Sequence, residues 1–89
     1  MLRREVLFSG QVQGVGFRMT TQRIAQRWAV TGFVRNLSDG RVQLVVEGEL
    51  AELQGFIGAV RQAMVDYIHD SEVVSSEASG TFSSFAIRH

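Results

Sequence analysis

The spacing of the apolar residues in this chain changes period several times, and the order of those changes limits the fold more than any other feature. Val6, Phe8, Gly10 and Val12 alternate with Leu7, Ser9, Gln11 and Gln13, the period of two that marks a strand, here near residues 4 to 12. Gly14 and Gly16 interrupt it. From Phe17 the stripe becomes Phe17, Thr21, Ile24, Ala25 and Trp28, one face of a helix that Gly32 is expected to end. Phe33 to Leu37 and Arg41 to Glu47 return to strand character around Ser38-Asp39-Gly40, and Asp-Gly between such runs signals an antiparallel hairpin. Gly48 is expected to open a second helix, with Glu49 and Glu52 in the first turn and Leu53, Phe56, Ile57, Val60 and Met64 as its buried stripe. Beyond it the pattern weakens: Val73 and Val74 suggest a strand near 72 to 78, and Phe82, Phe85 and Ile87 a last one.

The order β-α-β-β-α-β, with room for one extra short strand, predicts an α+β, ferredoxin-like sandwich: an antiparallel sheet with two helices packed on one face. Eighty-nine residues, 45% hydrophobic and without proline, make a single domain spanning 1–89. Such a fold hosts binding and catalytic proteins alike, so function has to be read from a site. Composition removes several chemistries. Without cysteine there is no thiolate nucleophile or cysteine metal site, and without lysine no Walker lysine or Schiff base. The nine arginines are balanced by nine acidic residues, and zero net charge argues against a non-specific nucleic-acid binder. The start Met1-Leu2-Arg3-Arg4-Glu5 opens no signal-peptide core, and no run of about 20 apolar residues follows, so a cytoplasmic protein with no membrane partner is expected.

Two constellations remain. In Gln11-Val12-Gln13-Gly14-Val15-Gly16-Phe17-Arg18, glycines between a strand and a helix let backbone N–H groups converge into an anion-binding nest at a helix N-terminus. Arg18 would add a bidentate fork. The plainer reading is a tight turn followed by a solvated arginine. Against it, a cation in the first helical turn opposes the macrodipole, a penalty of about 0.3–1 kcal/mol unless an anion sits there. The second constellation centres on Asn36, a residue type depleted in strands, whose amide could hold a water or a phosphate oxygen or else begin the turn by bonding its own backbone. Arg35 is expected to face solvent or pair with a carboxylate across the hairpin. His69 and His89 lack ligand spacing, so no metal site is expected and both read as surface residues. The serines at 71, 75, 76, 79, 83 and 84 read as polar filler, and Val42-Gln43-Leu44-Val45-Val46 lacks the aromatic platform of an RNA-binding sheet.

Together, Gly10-Gln11-Val12-Gln13-Gly14-Val15-Gly16-Phe17-Arg18 and Thr31-Gly32-Phe33-Val34-Arg35-Asn36-Leu37-Ser38-Asp39-Gly40-Arg41-Val42 resemble the two signatures of the acylphosphatase family, and the likeness continues through Glu47-Gly48 to the closing Gly80-Thr81-Phe82-Ser83-Ser84-Phe85-Ala86-Ile87. Phe33 stands where a tryptophan is frequent in the family. The resemblance implies that Gln13, Gly14, Val15, Gly16, Phe17 and Arg18 bind phosphate, and that Arg18 and Asn36 are catalytic, Arg18 gripping the phosphate and Asn36 positioning a water. The implied reaction is hydrolysis of a small acyl phosphate to a carboxylate and phosphate, without metal or other cofactor. The expected partner is that small molecule and not nucleic acid, and the expected state is a monomer. The competing class is a non-catalytic ferredoxin-like module binding a phosphorylated ligand or RNA.

Overall fold

The computed structural model describes residues 1–89. Its elements are β1 (Leu2–Gly10), α1 (Phe17–Ala25), β2 (Val30–Asn36), β3 (Val42–Gly48), α2 (Leu50–Ala63), β4 (Ile68–Glu77) and β5 (Phe85–Ile87). The sheet runs β4-β1-β3-β2-β5, antiparallel at each pairing except β2 with β5, which is parallel. This is the expected ferredoxin-like sandwich, with the extra short strand supplied by β5. Register aligns Val6, Leu44 and Val34 across three strands, and these side chains meet Leu53, Phe56 and Val60 of α2 and Phe17 and Ala25 of α1 in one apolar cluster. Thr21, on the same stripe of α1, is fully buried, and its hydroxyl finds no partner.

Several boundaries differ from the periodicity reading, each for a local reason. β1 begins at Leu2 and ends at Gly10, where the pairing with β4 slips by a residue. α1 stops at Ala25 rather than near Gly32, because Arg27 and Trp28 donate to the carbonyls of Ile24 and Ala25, three residues back. That tighter winding carries the helical stripe past the helix. Gly32 lies inside β2. Gly48 closes β3, paired with Leu2 on one side and Val30 on the other, so the second helix opens two residues later than expected, after an extended Glu49. β4 is a ten-residue strand rather than a short one near 72 to 78. It lies at the sheet edge and is exposed along almost its whole length, so no buried face imposed an alternating pattern on its sequence. β5 spans only Phe85–Ile87.

β4 and β5 occupy opposite edges, so the segment 78–84 has to cross the sheet. Glu47 holds it: this residue, only 3% exposed, accepts from the Ser79 N–H at 2.8 Å, the Ser79 hydroxyl at 2.9 Å and the Gly80 N–H at 3.0 Å, with Arg3 at 3.6 Å. Ser79 is therefore a structural ligand and not filler. Further along, Phe82 stacks obliquely on Phe33, and the Arg88 guanidinium lies 4.0 Å over the Phe33 ring. Arg35 pairs with no carboxylate directly; its Nε donates to Gln43 Oε1 at 2.6 Å, and Gln43 in turn donates to Glu5.

Candidate active site

The loop between β1 and α1 turns on two glycines with φ near +77° and +78°, Gly14 and Gly16, a region where side chains are strained. Gly16 occupies the N-cap of α1 and offers no side chain to satisfy the helix N–H groups behind it. No backbone N–H from Val12 to Met19 donates to a carbonyl of the protein. The first turn of α1 carries no acidic residue. Arg18 stands there instead, so the positive end of the helix, the free N–H groups and a guanidinium gather in one place.

A cleft of about 150 Å³ opens at this point, lined by Val12, Gly14, Gly16, Phe17, Arg18, Met19 and Asn36. Asn36, the last residue of β2, thus meets Arg18 across 18 positions of sequence. The turn after it is bonded by a different side chain: Asp39 Oδ1 accepts from the Arg41 N–H at 3.1 Å, and Asp39 Oδ2 from Arg41 Nε at 2.8 Å. Those contacts, the Arg41 N–H first, hold the Asp39 carboxyl below its usual range. The Asn36 amide is not spent on the turn.

Of the expected phosphate-binding positions, Gly14, Gly16, Phe17 and Arg18 line the cleft directly. Gln13 turns its amide away to the hairpin, donating to the carbonyls of Leu37 at 2.8 Å and Arg41 at 3.0 Å. Val15 packs against the core. Neither ion pair of the molecule, Arg3–Glu47 or Arg41–Asp39, involves Arg18. Its one side-chain partner is a residue that sequence reasoning placed at the surface with no role: Arg18 Nη1 lies 3.2 Å from His89 Nδ1. His69 is exposed and takes no part, and no group of three or more His, Asp or Glu side chains is arranged to hold a metal.

The sequence profile of the acylphosphatase family matches residues 4–87. The chain belongs to the acylphosphatase family. An acylphosphatase of Methanospirillum hungatei is 42% identical over 91 aligned positions, covering 99% of this chain and 98% of the relative. One from Salinibacter ruber is 45% identical over 84 positions, 90% of this chain and 85% of the relative. The crystal structure of acylphosphatase from Bacillus subtilis superposes with a TM-score of 0.89 at 33% identity, each chain covered completely. Hydrolase chemistry follows from membership of the acylphosphatase family. No helix is long and apolar enough to cross a membrane.

Proposed function

We propose that this acylphosphatase-family chain hydrolyses the carboxyl–phosphate bond of small acyl phosphates by metal-independent attack of water, with the phosphoryl group held by the 13–18 loop and Arg18 and the water positioned by Asn36. The observation that supports this reading most is the run of unpartnered N–H groups from Val12 to Met19, gathered with Arg18 and Asn36 around one small cleft. Phosphoryl transfer passes through a loose, metaphosphate-like transition state, so positioning and charge stabilisation suffice. The N–H groups and the guanidinium fork meet the equatorial oxygens, whose charge they match without reorganising. The Asn36 amide accepts from the water with its carbonyl and orients it for in-line attack.

The leaving group is a carboxylate, the conjugate base of an acid of pKa about 4, and it departs without a general acid. The residues lining the cleft include no carboxylate or imidazole. The attacking water therefore passes its proton to the substrate's own phosphate oxygens as the new P–O bond forms and the bond to the acyl oxygen breaks. The cleft has room for the phosphoryl end and little else, which makes the acyl portion weakly selected. On this reading the chain works as a monomer in the cytoplasm, on a small molecule and not on nucleic acid.

The test is phosphate release from acetyl phosphate and benzoyl phosphate by the purified chain, with and without a chelator. Turnover unchanged by the chelator is expected. No turnover of either substrate, together with binding of RNA that falls steeply with salt, would assign the loop to a non-catalytic binding module instead.

A further inference from the structure

Of the nine arginines, only Arg3 and Arg41 lie within 4 Å of a carboxylate. Two of the others, Arg4 of β1 and Arg61 of α2, line a second cleft of about 230 Å³ together with Leu53, Ile57 and Gly58 of α2 and Val73 of β4. It shares no residue with the phosphate cleft, and no acidic residue lines it. Arg4 breaks the inward row of Leu2, Val6 and Phe8 on a strand paired on both sides, where an apolar residue would be the ordinary choice. Register sets Val73 opposite Val6 and Ser75 opposite Arg4 on that same face, and alternation sends Glu72 to the other. Each arginine spends an N–H on a neutral oxygen: Arg4 Nη1 donates to the Arg3 carbonyl at 3.3 Å, and Arg61 Nη2 to the Ser71 hydroxyl at 3.3 Å. Gly58 supplies a second observation. It has no positive φ, and a Cβ there meets nothing within 4 Å, so neither the backbone nor the packing of α2 calls for glycine. Glycine weakens a helix interior, and here it leaves open space beside Val73, an apolar side chain 46% exposed.

We propose that this second cleft binds a small carboxylate with an apolar body, such as an aromatic acid. Leu53, Ile57 and Val73 offer the body an apolar surface, and Arg4 and Arg61 offer the head charge-assisted hydrogen bonds of the planar, forked kind that a carboxylate matches. Two cations lining one cleft with no counter-charge repel each other until an anion enters, and they raise its local concentration. A phosphoryl group fits less well. The loop cleft meets it with a run of free backbone N–H groups, whereas here only side chains carry the charge, beside apolar surface that a phosphate would leave unused. The volume lies below the range of about 300–1,000 Å³ typical of drug-sized ligands, so the occupant is small. Binding at this cleft requires no turnover, and its test stands apart from the proposed reaction.

The test is a titration of the ¹⁵N-labelled full chain with sodium benzoate, followed by two-dimensional NMR, beside two controls: benzyl alcohol, which keeps the ring and lacks the charge, and acetate, which keeps the charge and lacks the ring. Benzoate should shift the backbone amides of Ile57, Gly58, Arg61 and Val73 along one saturable curve with a Kd on the order of 1 mM, and each control should bind there at least about tenfold more weakly. Arg4→Gln and Arg61→Gln should each raise the Kd by roughly three- to tenfold. Gly58→Leu, whose side chain has room to occupy the cleft, should abolish the saturable shifts. Arg61 is exposed, so its variant keeps the test decisive even if Gly58→Leu fails to fold. Benzoate also has Arg18 to meet, and Arg18→Ala separates the two places: the shifts on α2 and β4 should persist in that variant. Benzoate shifts confined to the 13–18 loop, a Kd unchanged in both arginine variants, or benzyl alcohol binding as tightly as benzoate would each overturn the proposal.

Discussion

The amide nitrogen of Gln13 donates to the Leu37 carbonyl at 2.8 Å, bridging the phosphate loop to the hairpin that carries Asn36. The same nitrogen reaches the Arg41 carbonyl at 3.0 Å, at the turn end of that hairpin. Arg18 and Asn36 come from segments joined by no other side-chain hydrogen bond near the cleft, so their separation depends on this clamp. Gln13→Ala should therefore lower kcat/KM by roughly tenfold, chiefly through kcat, because a loosened water position costs rate while the phosphate nest remains. Steady-state kinetics with benzoyl phosphate would show it; an unchanged kcat would mean that the loop and hairpin hold their geometry without the clamp.

Glu47 governs acid stability. Burial pushes its carboxyl up, but the N–H groups of Ser79 and Gly80, the Ser79 hydroxyl and Arg3 together outweigh burial and bring it below the ordinary value. A carboxyl whose pKa is depressed by folding adds stability that is fully present above its unfolded value, about 4.3, and is lost as pH falls through the lower folded value. Chemical denaturation followed from pH 7 to pH 2 should show that loss beginning below about pH 5. Glu47→Gln should be less stable at pH 7 by about 1–3 kcal/mol, since its NH₂ confronts donors, and should show a shallower acid limb. A variant with the parent's pH dependence would remove Glu47 from this role.

Two glycines of α2 should respond oppositely to alanine. A Cβ at Gly58 meets nothing within 4 Å, and replacing glycine inside a helix gains about 0.5–1 kcal/mol. A Cβ at Gly55 would overlap the Trp28 ring at its Cη2 and Cζ3 atoms. Gly58→Ala should raise Tm by several degrees and Gly55→Ala should lower it. Thermal unfolding of the pair reads both, and a stabilised Gly55→Ala would show that Trp28 does not pack as described.

Much of this was legible in the residues because the signals were local. Gly14 and Gly16 marked the turn, the misplaced first-turn charge marked Arg18, and Asp39-Gly40 marked the hairpin that delivers Asn36. What was not legible depends on long-range contacts. β4 has no buried face to print a pattern, and Trp28 kept the helical stripe running after α1 had ended. Glu47 closing the apolar run Leu44–Val46 was a signal of a buried acid, but its partners Ser79 and Gly80 lie more than 30 positions away. Nothing in the sequence pointed from His89 to Arg18; only the parallel pairing of β5 beside β2 brings them together.

The central claim is a division of labour between Arg18 and Asn36, and steady-state kinetics of Arg18→Ala, Arg18→Lys and Asn36→Ala on benzoyl phosphate test it most directly. Arg18→Ala should lose at least about 10²- to 10³-fold in kcat/KM, and Arg18→Lys should not restore it, because a point charge cannot reproduce the fork. Asn36→Ala should lower kcat with KM and the Ki of inorganic phosphate nearly unchanged. Equal loss of phosphate binding in the Arg18 and Asn36 variants, or full activity in Arg18→Ala, would contradict the account.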